Sequence, residues 1–417
     1  MATQTKQSAA LTSPGYLVPF IIVTTLFFIF GFITNLNMAL VPHLKAVFTL
    51  PYAWAMLAES AFFLAYLVFA SPTSKLIEMI GYKRTMVVSL FIQVVGCLLF
   101  IPAAKMVSFP LFLTAVFVVG AGVTALQTSA NPYVSILGPE STSSIRLNLA
   151  QALNSLGGTF APIIAGAYIL TDPASLASPA AVADTVRMPY MLIAGGLLLL
   201  GFGVAFMHLP AVAETQAFRP AKEGDPLLGR SILSYKHTVL GALGIFFYVG
   251  VEVGLASIAV NYFKLQGMST AKTASFLVSL YWLGALVGRL LGAGIMTKVK
   301  AGKLLGTFGF IAAALITLSM FTSGSVAIAT LVLCGFFNSV MFPNIFTLGI
   351  AGLGPMTSKG SGLIMSAVVG GAVIPPLIGA LADKTSIQTS FIIPVICYLY
   401  IAFYGLWGSK PTRTVTA

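Results

Sequence analysis

Apolar runs of about 20 residues follow one another along the whole chain, separated by short polar stretches. As a helix, a run of that length crosses a hydrocarbon core about 30 Å thick. Twelve runs are predicted as membrane helices: 17–41, 53–79, 83–103, 109–135, 147–170, 188–209, 238–262, 271–296, 303–322, 326–350, 359–381 and 388–407. A membrane barrel would instead show alternating segments of about 10 residues. The expected fold class is therefore an all-α polytopic membrane protein with 12 transmembrane helices. A short polar N-terminus precedes a first run of full span length, so a cleavable signal peptide is not expected.

Composition agrees with the pattern. Of 417 residues, 58% are hydrophobic and 8% charged, against about 25% charged in a soluble domain. The net charge of +12 would suit a nucleic-acid partner if it were clustered. It is divided by topology instead. With both termini inside, 15 Lys/Arg fall on the cytoplasmic side, six fall outside, and Arg289 lies within a span. That is the positive-inside bias, so the lipid bilayer is the expected macromolecular surround and no nucleic acid is expected. Cys97, Cys334 and Cys397 fall in apolar spans and read as small core residues.

The chain reads as two copies of one half. GGTFAPIIAGA (157–167) matches GGAVIPPLIGA (370–380) at Gly-Gly, Pro, Gly and Ala with an offset of 213. Leu137-Gly138-Pro139 is answered by Leu353-Gly354-Pro355, and Pro132 by Pro343. The domain reading is an N-terminal tail (1–16), a six-helix half (17–209), a cytoplasmic linker (210–237), a second six-helix half (238–407) and a C-terminal tail (408–417). Parallel six-helix repeats are the plan of major facilitator transporters. The loop from Ser74 to Arg84 resembles a degenerate form of that superfamily's G-x-x-x-D-R-x-G-R-K-R motif, with Glu78 in the acid position. Glu78, Lys83 and Arg84 are thus candidates for a latch between the halves; simple anchoring by the two bases is the plainer alternative.

Polar side chains are costly in hydrocarbon unless they are paired or face a cavity. In span five, Asn148, Gln151, Asn154 and Ser155 recur at steps of three and four residues and share a helix face. Lining of a pathway is the favoured reading; bridging between helices is the alternative. Gln127 and Asn131 lie one turn apart before Pro132, which frees a main-chain carbonyl. Asn338, Pro343 and Asn344 repeat the device in span ten. Carboxamides both donate and accept, which suits a ligand rich in hydroxyls better than an inorganic anion. Two acids lie within spans, Glu59 and Glu252; each could accept from a ligand, carry a proton or hold a cation. Tyr281-Trp282 and Phe27, Phe28, Phe62 and Phe63 are candidate packing surfaces, ordinary packing being favoured for the phenylalanines. Arg289 is expected to snorkel to the inner interface.

Several strings together resemble the fucose:proton symporter family of the major facilitator superfamily. They are Asn131-Pro132-Tyr133, Leu137-Gly138-Pro139-Glu140, RLNLAQALN (146–154), YVGVEV (248–253), NSVMFPNIFTLG (338–349) and TSKGSG (357–362). The likeness is strongest to the glucose/galactose transporter branch. It implies import of a hexose or related monosaccharide by alternating access, driven by a sodium ion or a proton and working as a monomer in the bacterial inner membrane. It also implies sugar contacts from Asn35, Gln127, Asn131, Gln151 and Asn154 of the first half and Glu252, Asn261, Trp282 and Asn338 of the second. In the fucose permeases an Asp follows Asn-Leu-Asn and a Glu precedes Thr-x-Ala-Asn-Pro by one residue; here these places hold Met38 and Gln127. Coupling then falls to Glu252, to Glu59 or to a sodium ion held by main-chain carbonyls and amides, and glucose, galactose, mannose or N-acetylglucosamine becomes a better candidate than fucose. A facilitative uniporter and an exporter of amphipathic compounds are the alternatives, though an exporter's cavity should hold few amides.

Enzymatic chemistry is not expected. His43, His208 and His237 sit at span ends, and no nucleophile–base pair or metal-ligand motif is present. Cofactors are likewise not expected, beyond a co-transported sodium ion or proton. The missing acid gives a first test: Met38→Asp is expected to change the pH dependence of transport, and an unchanged profile would separate that position from coupling.

Overall fold

The computed structural model describes residues 10–48, 57–168, 185–209, 231–267 and 271–411. Its helices are α1 (Leu17–Phe48), α2 (Leu57–Lys105), α3 (Phe109–Ile136), α4 (Ser143–Tyr168), α5 (Arg187–Phe206), α6 (Lys236–Leu265), α7 (Ala271–Ile295), α8 (Ala301–Phe321), α9 (Gly324–Asn338), α10 (Met341–Ile350), α11 (Thr357–Ser366), α12 (Gly370–Lys384), α13 (Ile387–Ser390) and α14 (Ile392–Phe403). Ten described helical segments are long and apolar enough to cross a membrane. α4, at 26 residues, is outside the ten because its amides lower its hydropathy. The chain is an integral membrane protein with six passes in each half.

Spans two and three are two helices that meet at a kink at Gly81, with φ 81° and ψ 167°, and share the label α2. Side chains rarely adopt that conformation, so glycine sits at the turn. Span ten is two helices, α9 and α10, separated at Ser339–Val340. Span eleven is α11 and α12 joined by one tighter turn at Ala367–Val369. Most of the predicted linker (210–230) and the outermost residues of both tails lie outside the described residues.

The repeated Gly-Gly pairs have a packing reason. A side chain at Gly157 would collide with the main-chain carbonyl of Phe28 on α1, and one at Gly370 with that of Phe246 on α6. The matched glycines let α4 close on α1 and α12 close on α6, one contact per half. Between the halves, α4 packs on α7 and α2 packs on α11. Large apolar side chains such as Leu192, Leu199 and Phe206 on α5 stay exposed and face the lipid side.

One buried cation organises the first half. Arg146 is fully buried at the start of α4. Its Nε donates to Val134 O at 3.0 Å, and its Nη2 to Ser135 O, Gly138 O (3.2 Å) and Pro139 O (3.1 Å). Val134 and Ser135 lie in the last turn of α3, where carbonyls have no intrahelical donor. Nη1 donates to Thr142 Oγ1 at 2.7 Å and to Leu11 O at 2.8 Å, so the segment before α1 is tied to the same loop. Arg146→Met would leave these carbonyls buried without a donor, at a cost of about 3 kcal/mol. Thermal unfolding in detergent should show a clearly lower midpoint; an unchanged midpoint would contradict this role.

Candidate functional site

A cavity of about 590 Å³ lies between the halves, within the range of small-molecule sites. Phe30, Thr34, Asn35, Glu59, Phe63, Tyr66, Gln127, Gln151 and Asn154 line it from the first half. The second half contributes Glu252, Ser257, Asn261, Trp282, Arg289 and Phe342 among others.

Exposure shows which way it opens. Along α4, Asn148 is fully buried and Gln151 is buried at 4%, while Asn154, one turn on, is partly exposed. Along α6, Glu252 is partly exposed and Ser257 and Asn261 are exposed. Both gradients rise toward the end of the bundle opposite the chain termini. The other end is sealed. Ser144 Oγ and Thr347 Oγ1 lie 2.7 Å apart, and Asn148 Nδ2 donates to Asn344 Oδ1 at 2.9 Å. Ser358 Oγ donates to Glu78 Oε1 at 3.0 Å, with Lys359 Nζ 4.0 Å from that oxygen. Asn131 with Met365, Ser361 with Thr128 and Arg289 with Gln151 and Ser155 add further hydrogen bonds between the halves on this seam or at the cavity floor.

Proline sets one acceptor on the seam and one just behind it. A helical carbonyl four residues before a proline loses its N–H donor. Pro132 releases Thr128 O, which accepts from Ser361 Oγ of α11 at 2.8 Å. Pro343 releases Ser339 O, which accepts from Arg289 Nε at 3.2 Å. The paired prolines of the two repeats thus each present a bare carbonyl to a neighbouring helix.

Seven residues expected to contact a ligand line the cavity: Asn35, Gln127, Gln151, Asn154, Glu252, Asn261 and Trp282. The side-chain amides of Gln151, Asn154 and Asn261 and the carboxylate of Glu59 make no hydrogen bond with described residues, which leaves them free for a ligand. Asn35 Nδ2 donates to Gly31 O at 2.9 Å, leaving its oxygen to accept. Gln127 Nε2 donates to the Tyr66 hydroxyl at 2.9 Å, and the Tyr248 hydroxyl donates to Glu252 Oε1 at 2.6 Å. Trp282 stands nearly perpendicular to Tyr281, with ring centres 5.6 Å apart.

The remaining expected residues lie elsewhere. Asn131 is fully buried on the seam, where its Nδ2 meets Met365 Sδ at 3.5 Å. Asn338 is buried behind the wall and donates to the Tyr281 hydroxyl at 2.5 Å. Neither lines the cavity. Arg289 does not snorkel: it is 5% exposed and forms part of the cavity floor. Of the latch group, Glu78 reaches the other half, whereas Lys83 and Arg84 pair with no acid among the described residues. Met38 belongs to α1, but its side chain lies outside the described residues. Thr34, Tyr66 and Ser257 were not singled out in sequence. Ser257 and Asn261 sit one turn apart beyond Glu252, a spacing that could have revealed them.

Two pseudo-symmetric halves around a polar central cavity point to one family, and comparison with known proteins decides it. The sequence matches the Major Facilitator Superfamily over residues 22–368. The chain belongs to that superfamily. Within it, the chain falls in the fucose:proton symporter family. A relative named glucose/galactose transporter, from Brucella abortus (strain 9-941), is 46% identical over 392 residues, 93% of each chain. The L-fucose-proton symporter of Escherichia coli (strain K12) is 32% identical over 416 residues, 95% of this chain and 94% of that one. Among solved structures, the major facilitator transporter FucP in the outward conformation superposes with a TM-score of 0.82 at 31% identity, covering 94% of this chain and 98% of that one. The family is one of transporters, not enzymes.

Proposed function

We propose that this protein imports a monosaccharide, glucose or galactose or a close relative including N-acetylhexosamines, by proton-coupled symport. The observation that carries the reading is the cavity wall: unpartnered carboxamides from both halves, two carboxylates and a tryptophan face one space. Amides supply donors and acceptors for a ring of hydroxyls, and Trp282 offers a face for the apolar side of the sugar. The names of the relatives point to the same substrate class.

A proton is favoured over sodium because the symporter relatives are named for protons and because Glu59 and Glu252 both face the cavity. One charge moving down about 100 mV releases roughly 2.3 kcal/mol, which supports nearly 50-fold accumulation of a neutral sugar. Asn35, Gln127, Gln151, Asn154, Asn261 and Trp282 would hold the sugar, with Glu252 both accepting from it and taking the proton. Residues 17–209 and 238–407 would be the two moving bodies, joined by the linker 210–237. The protein would act as a monomer in the bacterial inner membrane with both termini cytoplasmic. The open cavity then faces the outside.

In membrane vesicles, labelled glucose or galactose should accumulate under an inward proton gradient and leak back when a protonophore is added. Glu252→Gln should abolish accumulation. Accumulation driven by a sodium gradient alone, or normal accumulation by Glu252→Gln, would overturn the coupling assignment.

A further inference from the structure

Among the described residues Arg289 is the one cation in the cavity wall, and it spans the boundary between the halves. It belongs to α7, yet its Nη1 donates to Gln151 O of α4 at 3.0 Å and also to Ser155 Oγ. Ser155 Oγ in turn donates to Gln151 O at 3.2 Å, so one turn of α4 presents a carbonyl and a hydroxyl to the guanidinium. Nε is held within its own half by Ser339 O, the carbonyl that Pro343 releases. Gly288 lets α7 approach that point, since a side chain there would strike Phe336 O and Ser339. The fork is therefore anchored on one body and grips the other.

The grip has an electrostatic condition. All its hydrogen-bond partners are neutral, and it is 5% exposed. A buried cation without a counter-charge is costly. The titratable groups that share its field are Glu252 and Tyr248 of α6 and Tyr281 of α7; Glu252 is the only acid among them. Glu252 forms no direct ion pair with Arg289, so a charge on Glu252 would act through space. A charged Glu252 stabilises the guanidinium where it grips α4. A neutral Glu252 leaves that cation uncompensated, and opening of the seam, which admits water, becomes the way to relieve it.

We propose that Arg289 is the positioning residue that ties the protonation of Glu252 to the seam: its grip on Gln151 and Ser155 holds the terminus end closed and slackens when Glu252 is neutralised. The coupling role of Glu252 rests on the function proposed above; the grip on α4 does not.

The test is made without sugar, so it does not depend on the substrate assignment. Spin labels at Met79→Cys and Lys298→Cys, one in each half at the terminus end, report seam opening by pulsed dipolar spectroscopy; the native cysteines are buried. Arg289→Gln should raise the ratio of open to closed seam about tenfold, within the usual range for coupled sites. Arg289→Lys should restore part of the closed population. Glu252→Gln should open the seam in the parent but change the ratio less than about twofold when added to Arg289→Gln, the non-additivity expected of one linked pair. Should Arg289→Gln fail to fold, Ser155→Ala removes one acceptor and should open the seam in the same direction by a smaller factor. An unchanged distance distribution in the Arg289→Gln or Ser155→Ala protein would overturn the grip. Additive effects of Arg289→Gln and Glu252→Gln would overturn the link between them.

Discussion

Inside a membrane, a main-chain or amide group with no partner costs several kcal/mol, and groups that the helices of this chain leave free find partners along the seam between the halves. Pro132 and Pro343 each strip a donor from a helical carbonyl, and the replacements come from other helices: Ser361 from across the boundary, Arg289 from the neighbouring α7. Asn148 Nδ2 donates to Asn344 Oδ1, and the Ser144 and Thr347 hydroxyls pair. Apart from the Arg289–Ser339 bond, which lies within the second half, these bonds join the halves at the terminus end. Because each is a modest net contribution of about 1 kcal/mol, the set can hold a closed state without locking it. The opposite end lacks such a network between described residues, and there the cavity opens.

The same helix face therefore does different work at different heights. On α4, Asn148 seals, Gln151 offers its carbonyl to Arg289 and its side chain to the cavity, and Asn154 faces the cavity alone. A ligand that bridges Asn154 and Asn261 would touch both bodies, and a floor made by Arg289 would feel its arrival. Alternating access needs such differential contacts: a ligand shifts a conformational equilibrium only through unequal interaction with the two states.

Much of the fold was legible because membrane helices announce themselves by run length, and the repeated Gly-Gly and proline positions gave the two halves. What the sequence could not supply was depth and rotation. Three- and four-residue spacing places Asn148, Gln151 and Asn154 on one face but does not say where the cavity stops. Asn131 and Asn338 carry the right chemistry beside the right prolines, yet one turns to the seam and the other behind the wall. Arg289 read as a snorkelling base because long cations near span ends usually reach water. Its true setting depends on Ser339, 50 residues away in sequence, whose carbonyl is free only because Pro343 follows it by four. Glu78 lies beside Ser358 and Lys359 of the other half, contacts that no spacing in the sequence could have named.

The central claim is that the unpartnered amides of the cavity form a monosaccharide site. The direct measurement is a thermal-shift titration of the purified protein with glucose, galactose, mannose, fucose and N-acetylglucosamine, run in parallel on Gln151→Ala/Asn154→Ala. The account predicts that at least one hexose raises the midpoint of the parent and that the double variant, still folded, loses the response. A parent that responds to none of these sugars, or a double variant that responds as fully as the parent, would contradict it.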